Sequence, residues 1–257
     1  MGKVITFANQ KGGVAKTTTS YVVAKELAEL GYKVLAIDMD PQYSLTALFD
    51  VIPEYETKVV SDFLEVVGKA TFNDVVITVD GVDLLPASLR MANEELALTS
   101  KNNSANQLLR KLRTVRDNYD YIIIDSPPHL SAYMNNALMA SDYLVIPVKA
   151  EFLSVSSIDL IFNTIWRMID DYDKEFNVAG ILLTMVNTRT NEYNQMREFI
   201  ENKMKKYDIK VFDNVIRHST ACSSAIGLGE NVAQLNTGVG QDYSKFVLEL
   251  LDIIGRA

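Results

Sequence analysis

The chain has 257 residues, 48% hydrophobic and 23% charged, a composition that excludes a disordered, collagenous or repeat protein and fits one globular α/β domain spanning 1–257. A single cysteine, Cys222, excludes an internal disulfide or a multi-cysteine metal centre built by one chain, and two histidines argue against a histidine-rich metal site. With 25 basic against 33 acidic residues the net charge is −8, so a polyanionic partner would need a local basic patch.

The first apolar run, VITFA at 4–8, reads as a buried strand. It also argues against taking Gly2 of MGKVIT as a lipid acceptor. Asn9-Gln10-Lys11-Gly12-Gly13-Val14-Ala15-Lys16-Thr17-Thr18 follows, and helical periodicity then covers 17–30. Strand, glycine loop, lysine, hydroxyl and helix are what a nucleotide phosphate requires. Glycines let successive N–H groups face the phosphates, and the helix N-terminus adds positive potential. Lys16 would meet the β- and γ-phosphates and the Thr17 hydroxyl would ligate Mg²⁺. A glycine turn that merely caps the helix is the plainer alternative.

The second run, VLAI at 34–37, ends in Asp38-Met39-Asp40-Pro41-Gln42. Ligands of open α/β sheets bind at such carboxyl edges. Asp40 lies further out than Asp38 and is the better candidate to orient an attacking water, unless both are loop or capping carboxylates. A third run, VDLLPA at 82–87, precedes a helical pattern over 92–116, and YIIID at 121–125 delivers Asp125 to the same edge as an acid for the Mg²⁺ shell. A helix at 131–139, a strand at 143–148, a helix at 155–171, a strand at 178–186 ending near Asn187, a helix at 192–206 and a last amphipathic helix at 241–254 complete the pattern. Strands alternating with helices predict a doubly wound, mostly parallel central sheet flanked by helices. No linker composition divides the chain.

The loop departs from GxxxxGK[ST], with Gln10 and Ala15 at its glycine positions, and fits KGGxxK[ST], with a second lysine at Lys11. In this it resembles the ParA/MinD group of deviant-Walker ATPases. The resemblance implies that Lys11 reaches across an ATP-sandwich homodimer to the partner's nucleotide; an exposed loop lysine without that role is the alternative. It also implies that Asp40, in DxDPQ, positions the water. Where the family has glycine, Ala15 costs roughly 1 kcal/mol should the position need φ > 0. YDYIIIDSPP, YLVIPVKAEF and GILLTMVNTRTN, in that order, are similar to the chromosomal and plasmid partition ATPases of the ParA/Soj type, over nearly the whole chain from Lys3 to about Ile216.

Within that resemblance Asn187 falls near the adenine base, or else caps its own loop. Too few cysteines exclude the nitrogenase-like branch, and the acidic tail FVLELLDIIGRA is unlike a membrane-binding helix, so no membrane partner is expected. The loop begins too early for an N-terminal helix-turn-helix domain. The resemblance further implies nonspecific DNA binding by the ATP dimer, stimulation of weak intrinsic hydrolysis by a ParB-type centromere-binding protein, and a cytoplasmic, nucleoid-associated location. Seven basic against five acidic residues over 186–218 give +2 and leave −10 elsewhere, the asymmetry expected of a DNA face or of a mixed-charge solvated helix. Arg189 of the RTN motif and Arg217, shifted from the family's I-P-R, are the candidate DNA contacts. Two other readings stay open: a ParA-like ATPase whose cargo is a protein assembly, and a small-molecule ligase of related fold.

Overall fold

The computed structural model describes residues 1–65, 69–151, 155–227, 231–235 and 237–257. Its elements in chain order are β1 (Lys3–Phe7), α1 (Lys16–Glu29), β2 (Val34–Asp38), α2 (Ser44–Leu48), α3 (Val60–Phe63), α4 (Phe72–Val75), β3 (Ile77–Val79), β4 (Val82–Leu85), α5 (Met91–Thr99), α6 (Gln107–Leu112), β5 (Tyr121–Asp125), α7 (Ala132–Ala140), β6 (Tyr143–Lys149), α8 (Val155–Tyr172), β7 (Val178–Thr184), α9 (Asn191–Lys205), α10 (Thr220–Gly227) and α11 (Gly238–Ile254).

The seven strands form one sheet in the order β3-β4-β2-β5-β1-β6-β7, parallel except at β3. The doubly wound, mostly parallel expectation therefore holds. β1, β2 and β5 are wholly or almost wholly buried, which is why they read as unbroken β-branched runs rather than alternating ones. On one face α1 and α11 cover Ile5, Ala36 and Ile123; on the other, helices between β2 and α7 cover Val4, Leu35 and Ile124. From β1 the chain crosses to β2 and on to the β3–β4 edge on one side, returns to β5 beside β1, and then crosses to β6 and β7 on the other side. The carboxyl edge beside β1 is thus the switch point where such sheets bind ligands.

Three expectations change. The helix over 92–116 is broken into α5, which stops at Thr99, a 3₁₀ turn at 104–106 and α6; Asn103, in a left-handed conformation (φ 55°), keeps the two helices from running on as one. The strand over 82–87 stops at Leu85, since Pro86 has no N–H for the ladder. An unforeseen antiparallel edge strand, β3, pairs with β4 through Asp80 and Gly81, both at positive φ (49° and 78°), the geometry of a type I′ hairpin turn. That Asp-Gly pair between β-branched residues was a readable signal, hidden by the expectation of parallel crossovers. Gly2 is buried, its carbonyl accepting from Arg116 Nε at 2.6 Å, in keeping with an N-terminus built into the sheet.

Candidate functional site at the carboxyl edge of the sheet

Between β1 and α1 the chain makes a wide loop whose residues are fixed from outside. Asn9, fully buried, donates through Nδ2 to the Pro147 carbonyl (2.7 Å) and accepts from the Lys11 N–H (2.9 Å). Gln10 donates to Thr164 Oγ1 (2.5 Å). Val14 points its side chain into the protein, and its carbonyl accepts from Thr184 Oγ1 at 3.1 Å, so only its backbone belongs to the loop. Pinned this way to β6, α8 and β7, the loop leaves its inner side open. A Cβ on Gly12 or Gly13 would meet nothing within 4 Å, and Gly13 has φ 69°.

Ala15, the residue before α1, has φ 62° and ψ 28°. The position does require the left-handed region, at a cost of about 1 kcal/mol for an alanine. No side chain caps α1 and no acidic residue occupies its first turn, so its N–H groups and positive end stay available.

Lys16 is 6% exposed and bends back so that Nζ donates to the Lys11 carbonyl at 3.1 Å. Burial pulls its ammonium below the ordinary lysine range, opposed by Asp125 and Asp40. It is a poorly hydrated cation, which attracts an added anion more strongly than a solvated one would, the two carboxylates offsetting part of that gain. Thr17 Oγ1 donates to Asp125 Oδ2 at 2.7 Å, and Ser20 Oγ donates to Asp125 Oδ1 at 3.1 Å. Burial pushes the Asp125 carboxyl up to about 6, with Thr17, Lys16 and Ser20 working the other way. A hydroxyl whose proton is committed to a carboxylate presents its lone pairs outward, the orientation a divalent cation needs.

Asp38 and Asp40 have different surroundings. Asp38 is fully buried, accepts from the Thr46 N–H and Oγ1 (both 2.8 Å) and from the Asp40 N–H (3.1 Å), and is pushed up to about 8 by burial and then by Asp125. Thr46 Oγ1 in turn accepts from the Ala87 N–H at 2.9 Å, so β2, α2 and the exit of β4 are tied together there. Asp40 accepts from the Gln42 N–H (2.9 Å) and faces an open cavity of about 400 Å³. Gly12, Gly13, Ala15, Lys16, Thr17 and Thr18 line the same cavity, with Gln42, Ser44, Leu48, Pro128 and Met185 completing it.

Lys11, Val14, Asp125 and Asn187 are not among its lining residues. Asn187 is exposed and its Oδ1 accepts from the Arg189 N–H at 3.3 Å, a local turn contact. Ser20, Thr46, Gln42, Ser44, Leu48 and Met185 were not read from the sequence. Ser20, at a one-turn spacing from Lys16, carried a weak signal; Met185 carried none, since only tertiary structure brings the end of β7 to the loop.

Four of the seven cations of the segment 186–218 are paired, mostly with carboxylates from other elements, while Arg189, Lys205 and Lys206 are exposed with no ion pair among the described residues. Arg197 pairs with Glu201 (2.7 Å), Lys203 with Asp159 (2.5 Å) and Lys210 with Glu249 (2.8 Å). Arg217 forms a two-pronged pair with Asp242 (2.8 and 2.7 Å) and also donates to the Gly238 carbonyl, so its guanidinium is engaged at the start of α11. No helix among the described residues is long and apolar enough to cross a membrane.

A family model described as "AAA domain" matches residues 2–178. The sporulation initiation inhibitor protein Soj of Bacillus subtilis is 37% identical over 234 residues, 90% of this chain and 90% of that one. Cobyrinic acid a,c-diamide synthase from Mycobacterium smegmatis, solved with ADP and magnesium, is similar with a TM-score of 0.84 and 26% identity, covering 98% of this chain and 94% of that one. The ATP complex of a McdA variant from Cyanothece gives a TM-score of 0.90 over 100% of this chain and 97% of that one. At 21% identity that last likeness speaks of the fold alone.

Proposed function

Since the chain belongs to the ParA/Soj family of P-loop ATPases, we propose that it is a partition-type ATPase that hydrolyses Mg²⁺·ATP, dimerises around two nucleotides and binds DNA nonspecifically in that state. The observation that carries the reading is the Thr17–Asp125 pair beside the buried Lys16 under an open glycine loop. The donor set fits a magnesium-bound triphosphate: backbone N–H groups and a lysine for phosphate oxygens, a hydroxyl and a carboxylate for a hard cation.

In this mechanism the N–H groups of Gly12, Gly13, Val14, Ala15, Lys16, Thr17 and Thr18 cradle the phosphates, and Lys16 neutralises the β- and γ-oxygens. The Thr17 hydroxyl would hold a Mg²⁺ brought in with the substrate directly and Asp125 would hold it through water, supplying charge to offset the phosphates. Asp40 orients the attacking water, whose proton it accepts, in line with the γ-phosphate. Lys11 of the partner subunit completes charge neutralisation, so hydrolysis is slow until dimerisation. Asn187 contributes at the base end when the nucleotide orders its loop. A ParB-type protein stimulates turnover. DNA contact falls chiefly to Arg189, because a phosphate at Arg217 would first have to displace Asp242.

Mg²⁺-dependent ATPase assays and ATP-dependent association with random-sequence duplex, for wild type and Lys11→Ala, test this reading. Turnover and ATP-dependent DNA binding, both lost in the variant, are expected; turnover without magnesium would sink the assignment of Thr17 and Asp125. ATP-dependent dimers that ignore DNA would favour a protein cargo, a second reading to which the carboxylate pairing of Arg197, Lys203, Lys210 and Arg217 lends support.

A further inference from the structure

The most one-sided charge in the described chain lies on the opposite stretch from the segment 186–218. From 101 to 116 there are five basic residues, Lys101, Arg110, Lys111, Arg113 and Arg116, and no acidic one, on a protein of net −8. Folding gathers most of them. Lys101, Arg110 and Lys111 line one surface cavity of about 440 Å³ together with Glu65. The Glu65 carboxyl is held below its usual range by Lys111, with Lys101 and Lys69 adding to the effect, which puts all three ammonium groups within its electrostatic reach. Glu65 is the one acidic residue lining that cavity, while Arg110 and Arg113, one turn apart and both exposed, have no ion pair among the described residues.

The cations are held rather than loose. Lys111 pairs with Glu65 at 2.5 Å and lies 5.5 Å over the Phe63 ring, and Lys101 Nζ donates to the Leu64 carbonyl at 3.1 Å. Arg116 is turned inward to Asp142 and the Gly2 carbonyl and takes no part. Counting Lys101, Arg110, Lys111 and the neighbouring Arg113 against Glu65, the face carries +3. The cavity shares no residue with the one at the phosphate loop. A cluster of fixed cations with two unpaired guanidinium groups suits closely spaced phosphates, which accept from planar donors in pairs.

We infer that the surface formed by Glu65, by the residues that follow α5 and by α6 is a contact face for the phosphate backbone of duplex DNA, separate from the segment 186–218. The inference rests on the proposed DNA binding and deepens it. It adds to Arg189 further backbone contacts from residues that no motif marks.

The test uses the full chain loaded with a non-hydrolysable ATP analogue and a labelled random-sequence duplex, titrated between about 50 and 200 mM salt. For Arg110→Ala/Arg113→Ala the logarithmic salt slope is expected to fall by about 1.8 per protomer, at about 0.9 per lost phosphate contact, with at least a tenfold loss of affinity at the lowest salt. ATPase turnover without DNA stays unchanged. An unchanged slope in the double variant, with DNA binding intact in wild type, overturns the inference and leaves the proposed function standing. No DNA binding by wild type overturns both. Loss of binding to poly-glutamate with DNA affinity unchanged overturns it in favour of an acidic protein partner.

Discussion

The phosphate-loop edge and the segment 186–218 are both polar, both announced by motif, and organised in opposite ways. At the loop, polar groups bond to the scaffold through one atom and leave another facing open space: Lys16 rests on a carbonyl, Thr17 spends its proton on Asp125, and Asp40 takes a backbone N–H. In 186–218, four cations are spent on carboxylates: Arg197 on Glu201 within the segment, and Lys203, Lys210 and Arg217 on Asp159, Glu249 and Asp242 of neighbouring helices. A count of charges describes neither arrangement. What matters is whether the fold leaves a group's remaining valence pointing outward.

The largest effect is expected at the loop. Asp40→Ala should lower ATP turnover by about 10²–10⁴-fold while nucleotide binding, followed by fluorescent-analogue titration, is retained. If turnover stays within a few fold of wild type, Asp40 is not the group that orients water. Next comes its support. Thr46→Val leaves Asp38 short of one donor and the Ala87 N–H without an acceptor, so denaturant unfolding should show a loss of about 1–3 kcal/mol.

The same buried carboxylate gives a pH signature. Asp38 has its folded value raised to about 8 from an ordinary 3.8, so the folded state binds the proton more tightly than the unfolded chain. Its contribution is therefore fully present below about pH 4 and declines as pH climbs through 8. Across pH 6–8, in EDTA and without nucleotide, the melting temperature should drop by at least about 2 °C, the shift that 1 kcal/mol produces in a chain of this size. A flat or rising profile would mean that the donors around Asp38 outweigh its burial.

Two smaller effects probe the basic segment and the strained loop. Arg189→Ala should reduce the DNA salt slope by about 0.9, whereas Arg217→Ala should leave it unchanged and cost less than about 1 kcal/mol of stability, since that pair is partly solvated. Equal slopes in the two variants would erase the distinction drawn between them. Ala15→Gly relieves about 1 kcal/mol of left-handed strain and returns part of it as unfolded-state entropy, so a net gain below 1 kcal/mol is expected from thermal melts.

Much of the fold was legible because fully buried parallel strands have no solvent face to break their apolar runs: 34–37 and 121–125 are read almost to the residue as β2 and β5. The antiparallel β3 was missed because three half-exposed residues carry little pattern. Lys16, Thr17 and Asp125 were readable because the chemistry of a phosphate fixes residue type and spacing within one loop and one strand end.

By itself, the sequence determined the strand–loop–helix unit and the acids at the ends of β2 and β5. These depend on neighbours a few residues apart, where backbone geometry leaves few choices. Only the tertiary structure decided which charges are spent and which are left. Arg217 is closed by Asp242, 25 residues away, while Lys101 and Lys111 converge on Glu65 from across two helices. Electrostatic energy depends on distance through space, and no separation along the chain reports it.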